Sequence, residues 1–279
     1  MGHDNLRDDV NRMMSPELLF WSELALKMAL TAAIVVVVSI TVERSGPFAG
    51  ALIAALPSAA GAAYIILAIE HPPAFIASSA VGSIVVGADV AIFSAVYTLL
   101  AQRRGLLVSL GVSLAVWFAI AFVMRTVAWT PLNAMAFNAA VYAVTIPLSW
   151  RYRSGGPLRT FLRTRYDIPL RALAAAVVVA VVTTASYSIG SVASGIFALF
   201  PIILCSSVVI LHPRIGGKPT ASMLAHAQVA FIGLAFGFLA VHYLAEPVGV
   251  WWALAIGLSI CIGWSLFLWL IRTRKPQKI

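Results

Sequence analysis

Charged residues are scarce in this 279-residue chain. Only 10% of its residues are charged, whereas 61% are hydrophobic, and the mean hydropathy is +0.96. Soluble globular domains carry about 25% charged residues. This scarcity excludes a soluble globular protein and indicates a polytopic membrane protein.

The chain also has few cysteines and none of the common enzyme motifs. Cys205 and Cys261 are the two cysteines, and both lie in hydrophobic segments, so they predict neither a disulfide framework nor a metal site. The sequence has no phosphate-binding Walker loop, no nucleophile elbow and no HExxH motif. We therefore expect no enzyme activity, no cofactor, no bound metal and no ATP-driven pump within this chain.

Acidic residues are outnumbered by basic ones, 10 to 19, which gives a net charge of +9. If the arginine-rich loop 151–171 is cytoplasmic, fifteen basic residues lie inside and four outside. Membrane proteins concentrate Lys and Arg in cytoplasmic loops. The charge therefore predicts an outside N-terminus and a cytoplasmic C-terminus, and it does not indicate nucleic-acid binding.

Long hydrophobic runs are what the chain does have. A helix needs about 20 apolar residues to cross the hydrocarbon core, and runs such as AAIVVVVSI lack the alternation of a membrane β-barrel. We predict an all-α protein in the lipid bilayer with about nine transmembrane helices, at residues 18–42, 46–70, 74–101, 106–124, 131–150, 169–189, 192–211, 219–245 and 248–271.

The chain also contains an internal repeat. Residues 46–57 read GPFAGALIAALP and residues 190–201 read GSVASGIFALFP, so a shift of 144 places Pro57 on Pro201. The shift pairs the first four spans with the last four. Because five spans, an odd number, separate equivalent segments, we expect the two repeats to be inverted, in a 4+1+4 arrangement that allows alternating access.

This arrangement defines five parts of the chain. They are a leader (1–17), the first repeat (18–124), a linker span with a basic cytoplasmic loop (125–168), the second repeat (169–271) and a basic tail (272–279).

The repeated prolines predict a broken helix in each half. Proline lacks an N–H and displaces the carbonyl four residues earlier, here Ile53 or Phe197, and lipid cannot satisfy a free carbonyl. The alternative is a plain kink whose carbonyl is satisfied by neighbouring helices. We predict a substrate site near the two breaks, formed by Pro57, Ser58, Gly61, Tyr64, Pro201, Ser206, Ser207 and Asn138.

Asp89 lies near the middle of the third span. An ionisable residue there is costly and is by default a functional candidate, so we predict that Asp89 couples transport to a proton. The alternative is a protonated carboxyl bonded to a helix neighbour. His226 and Gln228 of the eighth span are further coupling candidates, and ordinary interhelical hydrogen bonds are the alternative for them.

Three residues at span ends are candidates for gating. Glu70 and His71 end the second span, and Arg214 ends the equivalent seventh span. Solvated loop residues are the alternative interpretation.

Small residues recur every four positions on the third span, at Ser79, Ser83 and Gly87. Such ladders allow close helix contact in lipid. They predict packing within the bundle or, as the alternative, a homodimer seam.

The segment GALIAALPSAAGAAYIILAIEH resembles the GlpM-like family of small four-helix bacterial inner-membrane proteins. The resemblance implies that a four-helix unit can exist alone, that this chain is a fused inverted pair, and that it lies in the bacterial inner membrane. It implies no substrate. The linker span and Asp89 depart from that family, so no functional residue is transferred.

These features together predict a secondary transporter or permease for a small solute or an organic ion, with proton coupling through Asp89. Two alternatives from other classes stay open. One is a channel or a lipid-handling protein, and the other is a membrane scaffold that transports nothing.

Overall fold

The computed structural model describes residues 16–44, 58–153 and 167–273 of the chain. The described residues form ten α-helices and no strand. In chain order they are α1 (Pro16–Arg44), α2 (Ser58–Glu70), α3 (Pro73–Leu100), α4 (Leu106–Met124), α5 (Pro131–Trp150), α6 (Asp167–Ile189), α7 (Ser191–Ala198), α8 (Ile202–Ile215), α9 (Gly217–Leu244) and α10 (Val250–Thr273).

Seven helical segments in the described residues are long and apolar enough to cross a membrane. The prediction of an all-helical polytopic membrane protein is therefore confirmed for this part of the chain. The first two predicted spans are represented by the shorter apolar segments Leu24–Val37 and Ala60–Glu70, and residues 45–57 between them lie outside the described residues. A total of about nine spans stays a prediction.

Local sequence explains where several helices begin. α3 starts with Pro73, at a position where the missing N–H has no helical partner to lose. α5 starts with a capping box, in which Thr130 Oγ1 accepts the Asn133 N–H at 3.3 Å and Asn133 Oδ1 accepts the Thr130 N–H at 2.7 Å. The chain turns between α8 and α9 at Gly216, whose φ of +88° favours glycine.

α3 is the buried centre of the bundle and packs against α4, α5, α7 and α9. Its partner α9 runs antiparallel to it. His242 Nδ1 of α9 lies 2.9 Å from the Ala77 carbonyl oxygen near the start of α3, and Thr98 Oγ1 near the end of α3 donates to the Ala221 carbonyl at 3.3 Å. Position 77 thus contacts 242, and position 98 contacts 221. Under the shift of 144, position 77 is equivalent to 221 and position 98 to 242, so the two contacts are equivalent to each other.

The helix starts follow the same shift. Three helices of the first half and three of the second begin 144 residues apart, namely α2 and α8, α3 and α9, and α4 and α10. α1 packs against α6, which occupies the corresponding place in the second half. α5, predicted as a linker span, packs against both central helices, α3 and α9.

Candidate functional site

The helix that contains Pro201 is broken. α7 ends at Ala198 and α8 begins at Ile202, and Pro201 itself is buried. The predicted free carbonyl of Phe197 is not found, because a tight turn lets the Phe200 N–H donate to it at 3.0 Å. The equivalent Pro57 lies outside the described residues.

Small residues hold α7 directly against α3. Ser79 Oγ donates to the Ser191 carbonyl and Ser83 Oγ to the Gly195 carbonyl, both at 2.9 Å. Each bond joins residues 112 apart, so the two helices run parallel, and a Cβ added at Gly195 would overlap the Ser79 carbonyl. The small-residue ladder of α3 thus packs within the bundle. If this register continued past the end of α7 at Ala198, residue 89 would be level with residue 201.

Asp89 is fully buried, and neither of its carboxyl oxygens has a hydrogen-bond partner among the residues that the structure describes. It lies 11 residues before the end of α3. At 1.5 Å per residue this is about 17 Å, roughly half of a 30 Å hydrocarbon core. Burial of an isolated carboxylate is far more costly than burial of a neutral carboxyl, so this environment suits the carboxylic acid and not the carboxylate.

Trp117 of α4 lies at the same depth as Asp89. α4 follows α3 after a short connection, and Trp117 lies 11 residues after its start. The indole is fully buried, its Nε1 has no hydrogen-bond partner, and its ring packs edge-on against Phe200 and Phe197 with centroid distances of 5.0 and 6.3 Å. Sequence reasoning missed Trp117. The available signal was its place in mid-span, since membrane tryptophans concentrate at the interfaces.

We call Asp89, Trp117, Phe197, Phe200 and Pro201 the Asp89 site. Its side chains supply one acid on α3, one N–H donor on α4, and the aromatic rings of Trp117, Phe197 and Phe200, which contact one another near the end of α7. Such a set can hold a proton or a cation. Among the residues that the structure describes, no group of three or more His, Cys, Asp or Glu side chains could bind a metal ion.

Tyr64, a predicted site residue, connects α2 to this part of the bundle. Its hydroxyl lies 2.7 Å from Ser83 Oγ, which in turn donates to the Gly195 carbonyl. Tyr64 is buried and its ring packs against Phe238 of α9. α2, which follows the predicted break at Pro57, and α7, which precedes the break at Pro201, therefore both contact Ser83 of α3.

Other predicted binding residues contribute less. Ser206 and Ser207 of α8 donate back to the Ile203 carbonyl at 3.0 and 2.6 Å, so their hydroxyls are used within the helix. A Cβ added at Gly61 would meet no atom of the described residues within 4 Å. Ser58 is the first residue of α2.

α5 presents a polar stripe to α3 and α9. Asn138 Nδ2 donates to the Ile84 carbonyl at 2.7 Å and Tyr142 to the Gly87 carbonyl at 3.2 Å. Since Gly87 faces α5 and each helical residue turns by about 100°, Asp89 faces a different side of α3. The stripe consists of the buried residues Asn138, Tyr142, Thr145 and Ser149, and Asn138 is the one predicted above as a binding residue.

The two coupling candidates on α9 lie in different surroundings. Gln228 is fully buried and donates to Ser149 Oγ at 3.1 Å, while its Oε1 and the nearby Thr145 Oγ1 of the stripe have no partner. His226 is exposed, and its Nδ1 lies 2.8 Å from the Ser222 carbonyl. The structure therefore brings Gln228 to the α5 stripe and leaves His226 exposed.

The gating candidates Glu70 and His71 are brought together with α1 and α6. Glu70 forms an ion pair with Lys27, and His71 Nε2 lies 2.8 Å from Ser186 Oγ. The His71 ring stacks on Phe75 at 3.8 Å. Burial lowers the pKa of His71; the adjacent carboxylate of Glu70 opposes this shift and Lys27 adds to it. We call these contacts the Glu70 lock, at the end of the bundle where α3 begins.

The other end of α3 is held by Tyr97, whose hydroxyl lies 2.6 Å from His212 Nδ1 of α8. We call this contact the Tyr97 lock. Arg214, the third gating candidate, is exposed in the last turn of α8 beside it, at the opposite end of the bundle from Glu70. Asp89 lies between the two locks.

The second half of the chain has no counterpart of the acid. Gly233 occupies the equivalent position, and a Cβ added there would lie 2.7 Å from Trp264 of α10. Gly237 and Gly257 also bring the backbones of α9 and α10 together, with added Cβ atoms 2.8 and 2.9 Å from the opposite carbonyl oxygens. α9 and α10 are thus in close contact at Gly233, the position equivalent to Asp89 of α3.

An open apolar groove of about 690 Å³ lies along α9 and α10. It is lined by Phe236, Leu239, Ala240, Tyr243, Ile260, Gly263, Trp264 and Phe267.

Comparison of the chain with protein families, with curated proteins and with solved structures finds no match. The functional inference therefore depends on the geometry of the chain's own residues.

Proposed function

We propose that this chain is a proton-coupled secondary transporter of the bacterial inner membrane, and that Asp89 carries the coupling proton. The observation that supports this most is the fully buried, unpartnered carboxyl of Asp89 at the depth of the α7–α8 break. A buried acid without hydrogen bonds destabilises the fold, and such costs are retained mainly where function needs them.

We infer that the two halves form an inverted repeat. The common shift of 144 in the helix starts and in the two α3–α9 contacts supports this inference. Equivalent helices that run antiparallel belong to units of opposite orientation, and inverted units can exchange conformations between inward-open and outward-open states. The basic loops favour an outside N-terminus and a cytoplasmic C-terminus for this arrangement.

The locks at the two ends of α3 suggest how access alternates. Glu70 pairs with Lys27 at one end of α3 and Tyr97 with His212 at the other, and Asp89 between them is fully buried. Opening either lock admits water to Asp89, which then releases or takes up its proton. Protonated Asp89 permits the closed state, because a neutral carboxyl tolerates burial far better than an ionised one.

The native cysteine Cys205 allows a test without knowledge of the substrate. It is buried one turn after Pro201 on α8, and replacement of Cys261 by Ala leaves it as the single thiol. A membrane-impermeant maleimide is applied to right-side-out and inside-out vesicles at about pH 6 and about pH 8.5. We expect labelling from each side, with a ratio between the sides that depends on pH.

Asp89→Asn in the same background should abolish the pH dependence, and a cysteine-free variant gives the background signal. Failure to label Cys205 from either side at both pH values would contradict the transporter and favour the scaffold. Equal labelling from both sides at every pH, unaffected by Asp89→Asn, would favour a channel.

The apolar groove of α9 and α10 favours a second candidate, a lipid-handling protein. In that case, reconstituted protein would move fluorescent phospholipids between leaflets, and Gly263→Trp, which fills the groove, would stop this movement. Asp89→Asn would leave it unchanged.

A further inference from the structure

We propose that the transported solute is a lipophilic organic cation, an ammonium or phosphonium with aromatic or alkyl substituents, which exchanges with the proton on Asp89. This proposal depends on the proposed function above and names the substrate class of the same site.

The charge balance around Asp89 points to a cationic ligand. Helices α3 to α5 and α7 to α10 contain no other Asp or Glu, and α3, α4, α5 and α7 contain no Lys or Arg. These four described helices therefore offer no lysine or arginine to balance an ionised Asp89. The compensating positive charge has to come from a proton or from a ligand.

The aromatic rings indicate what kind of cation fits. The indole of Trp117 meets Phe200 with an interplanar angle of 89° and Phe197 with one of 62°. The three rings thus present both faces and edges to one another at the depth of the acid. Aromatic faces, Trp above all, attract ammonium-type cations, and desolvation strengthens this attraction.

Small inorganic cations are a poor match for the same surroundings. Hard metal ions require several oxygen ligands, about six to eight for calcium. The side chains of the Asp89 site supply a single carboxylate together with one indole and two phenyl rings. One charge and a largely apolar lining favour a large monovalent cation with little hydration.

The exchange is balanced for charge and protons. The cation binds to the Asp89 carboxylate, and the acid proton passes to water on the side to which the site is open. In the pH range where Asp89 is protonated, each bound cation releases one proton. The apparent affinity for the cation therefore rises about tenfold for each unit by which the pH is raised. Few other titratable groups face this depth: α4 and α7 contain none, and the remaining helices around α3 present Tyr64, Tyr142, Cys205 and, toward its ends, His212 and His242.

Binding of radiolabelled tetraphenylphosphonium to the purified full-length protein in detergent tests the proposal. We expect saturable binding that is stronger at about pH 8.5 than at about pH 6, with proton release that a pH indicator detects at the lower pH. Asp89→Asn should abolish binding. Trp117→Leu should weaken it by about thirtyfold, whereas Trp117→Phe, which retains a ring, should weaken it by about threefold.

Trp252→Leu is the matched control, because Trp252 is an exposed tryptophan of α10, and its binding should equal that of the wild type. Thermal unfolding of each variant separates loss of binding from loss of fold. If Cys205 accessibility alternates with pH but tetraphenylphosphonium binding is absent or survives Asp89→Asn, the organic-cation proposal is overturned and the transporter stands. If binding depends on Asp89 but Cys205 is never labelled, the cation site stands and the transporter fails.

Discussion

Replacement of Asp89 by valine is predicted to stabilise the protein while abolishing its function. Both carboxyl oxygens are buried without a partner, so the native state bears a desolvation cost of about 1–3 kcal/mol that an apolar side chain does not have. Valine is slightly larger than aspartate and suits an interior of apolar helices. Asp89→Asn retains the unpartnered polar group and should leave stability nearly unchanged.

The assay is thermal unfolding in detergent, followed by a thiol-reactive fluorophore that reports exposure of the two buried cysteines. For chains of about 150–250 residues 1 kcal/mol corresponds to about 2–4 °C, so removing a cost of about 1–3 kcal/mol by Asp89→Val should raise Tm by about 2–12 °C. Ser83→Ala is the control, because it removes bonds to Tyr64 and to the Gly195 carbonyl and should lower Tm. A Tm for Asp89→Val well below the wild type would refute the reasoning, since it would mean that Asp89 makes a stabilising contact.

Two further predictions concern helix packing and pH. Gly195→Ala should destabilise the protein by about 3 kcal/mol, because the new Cβ overlaps the Ser79 carbonyl. Gly61→Ala is the control: its new Cβ meets no described atom within 4 Å, so this variant should be neutral or slightly stabilised. Equal Tm values for the two variants would contradict the close α3–α7 contact. Burial lowers the pKa of His71 in the folded state, so its neutral form stabilises the fold above the unfolded pKa of about 6.5, and this stability is lost as the pH falls below that value. Tm should therefore fall on acidification from about pH 7.5 to about pH 5, by less in His71→Asn, and an identical pH profile for this variant would exclude His71 as the cause.

Much of the helical framework could be predicted from the sequence, because span length and helix punctuation are local properties. The predicted spans 106–124 and 131–150 coincide with α4 and α5, which begin after a glycine and at a proline. The helix starts also follow the 144-residue shift that the repeated glycine and proline indicate. Prediction was wrong about the Phe197 carbonyl, since proline chemistry alone does not reveal that the Phe200 N–H would turn back to bond it.

The surroundings of Asp89 were less accessible to sequence reasoning, because they depend on which helices meet. Trp117 is one apolar residue among many in α4, and only the α3–α4 hairpin and its packing on Phe200 place it at the depth of the acid. Thr145 and Ser149 belong to the polar stripe only because α5 packs against both α3 and α9, which the sequence does not show. The sequence shows that Thr145 and Ser149 lie on one face of α5, but it does not show that this is the buried face.

The measurement that tests the central claim most directly is the protonation of Asp89 itself. Infrared difference spectra of the reconstituted protein, recorded across about pH 5 to 10 and compared with Asp89→Asn, isolate the C=O stretch of this carboxyl. We predict a protonated, weakly hydrogen-bonded carboxylic acid at low pH that loses its proton reversibly as the pH rises. An Asp89 signal that stays ionised throughout, or one that never titrates, would contradict its role as the carrier of the coupling proton.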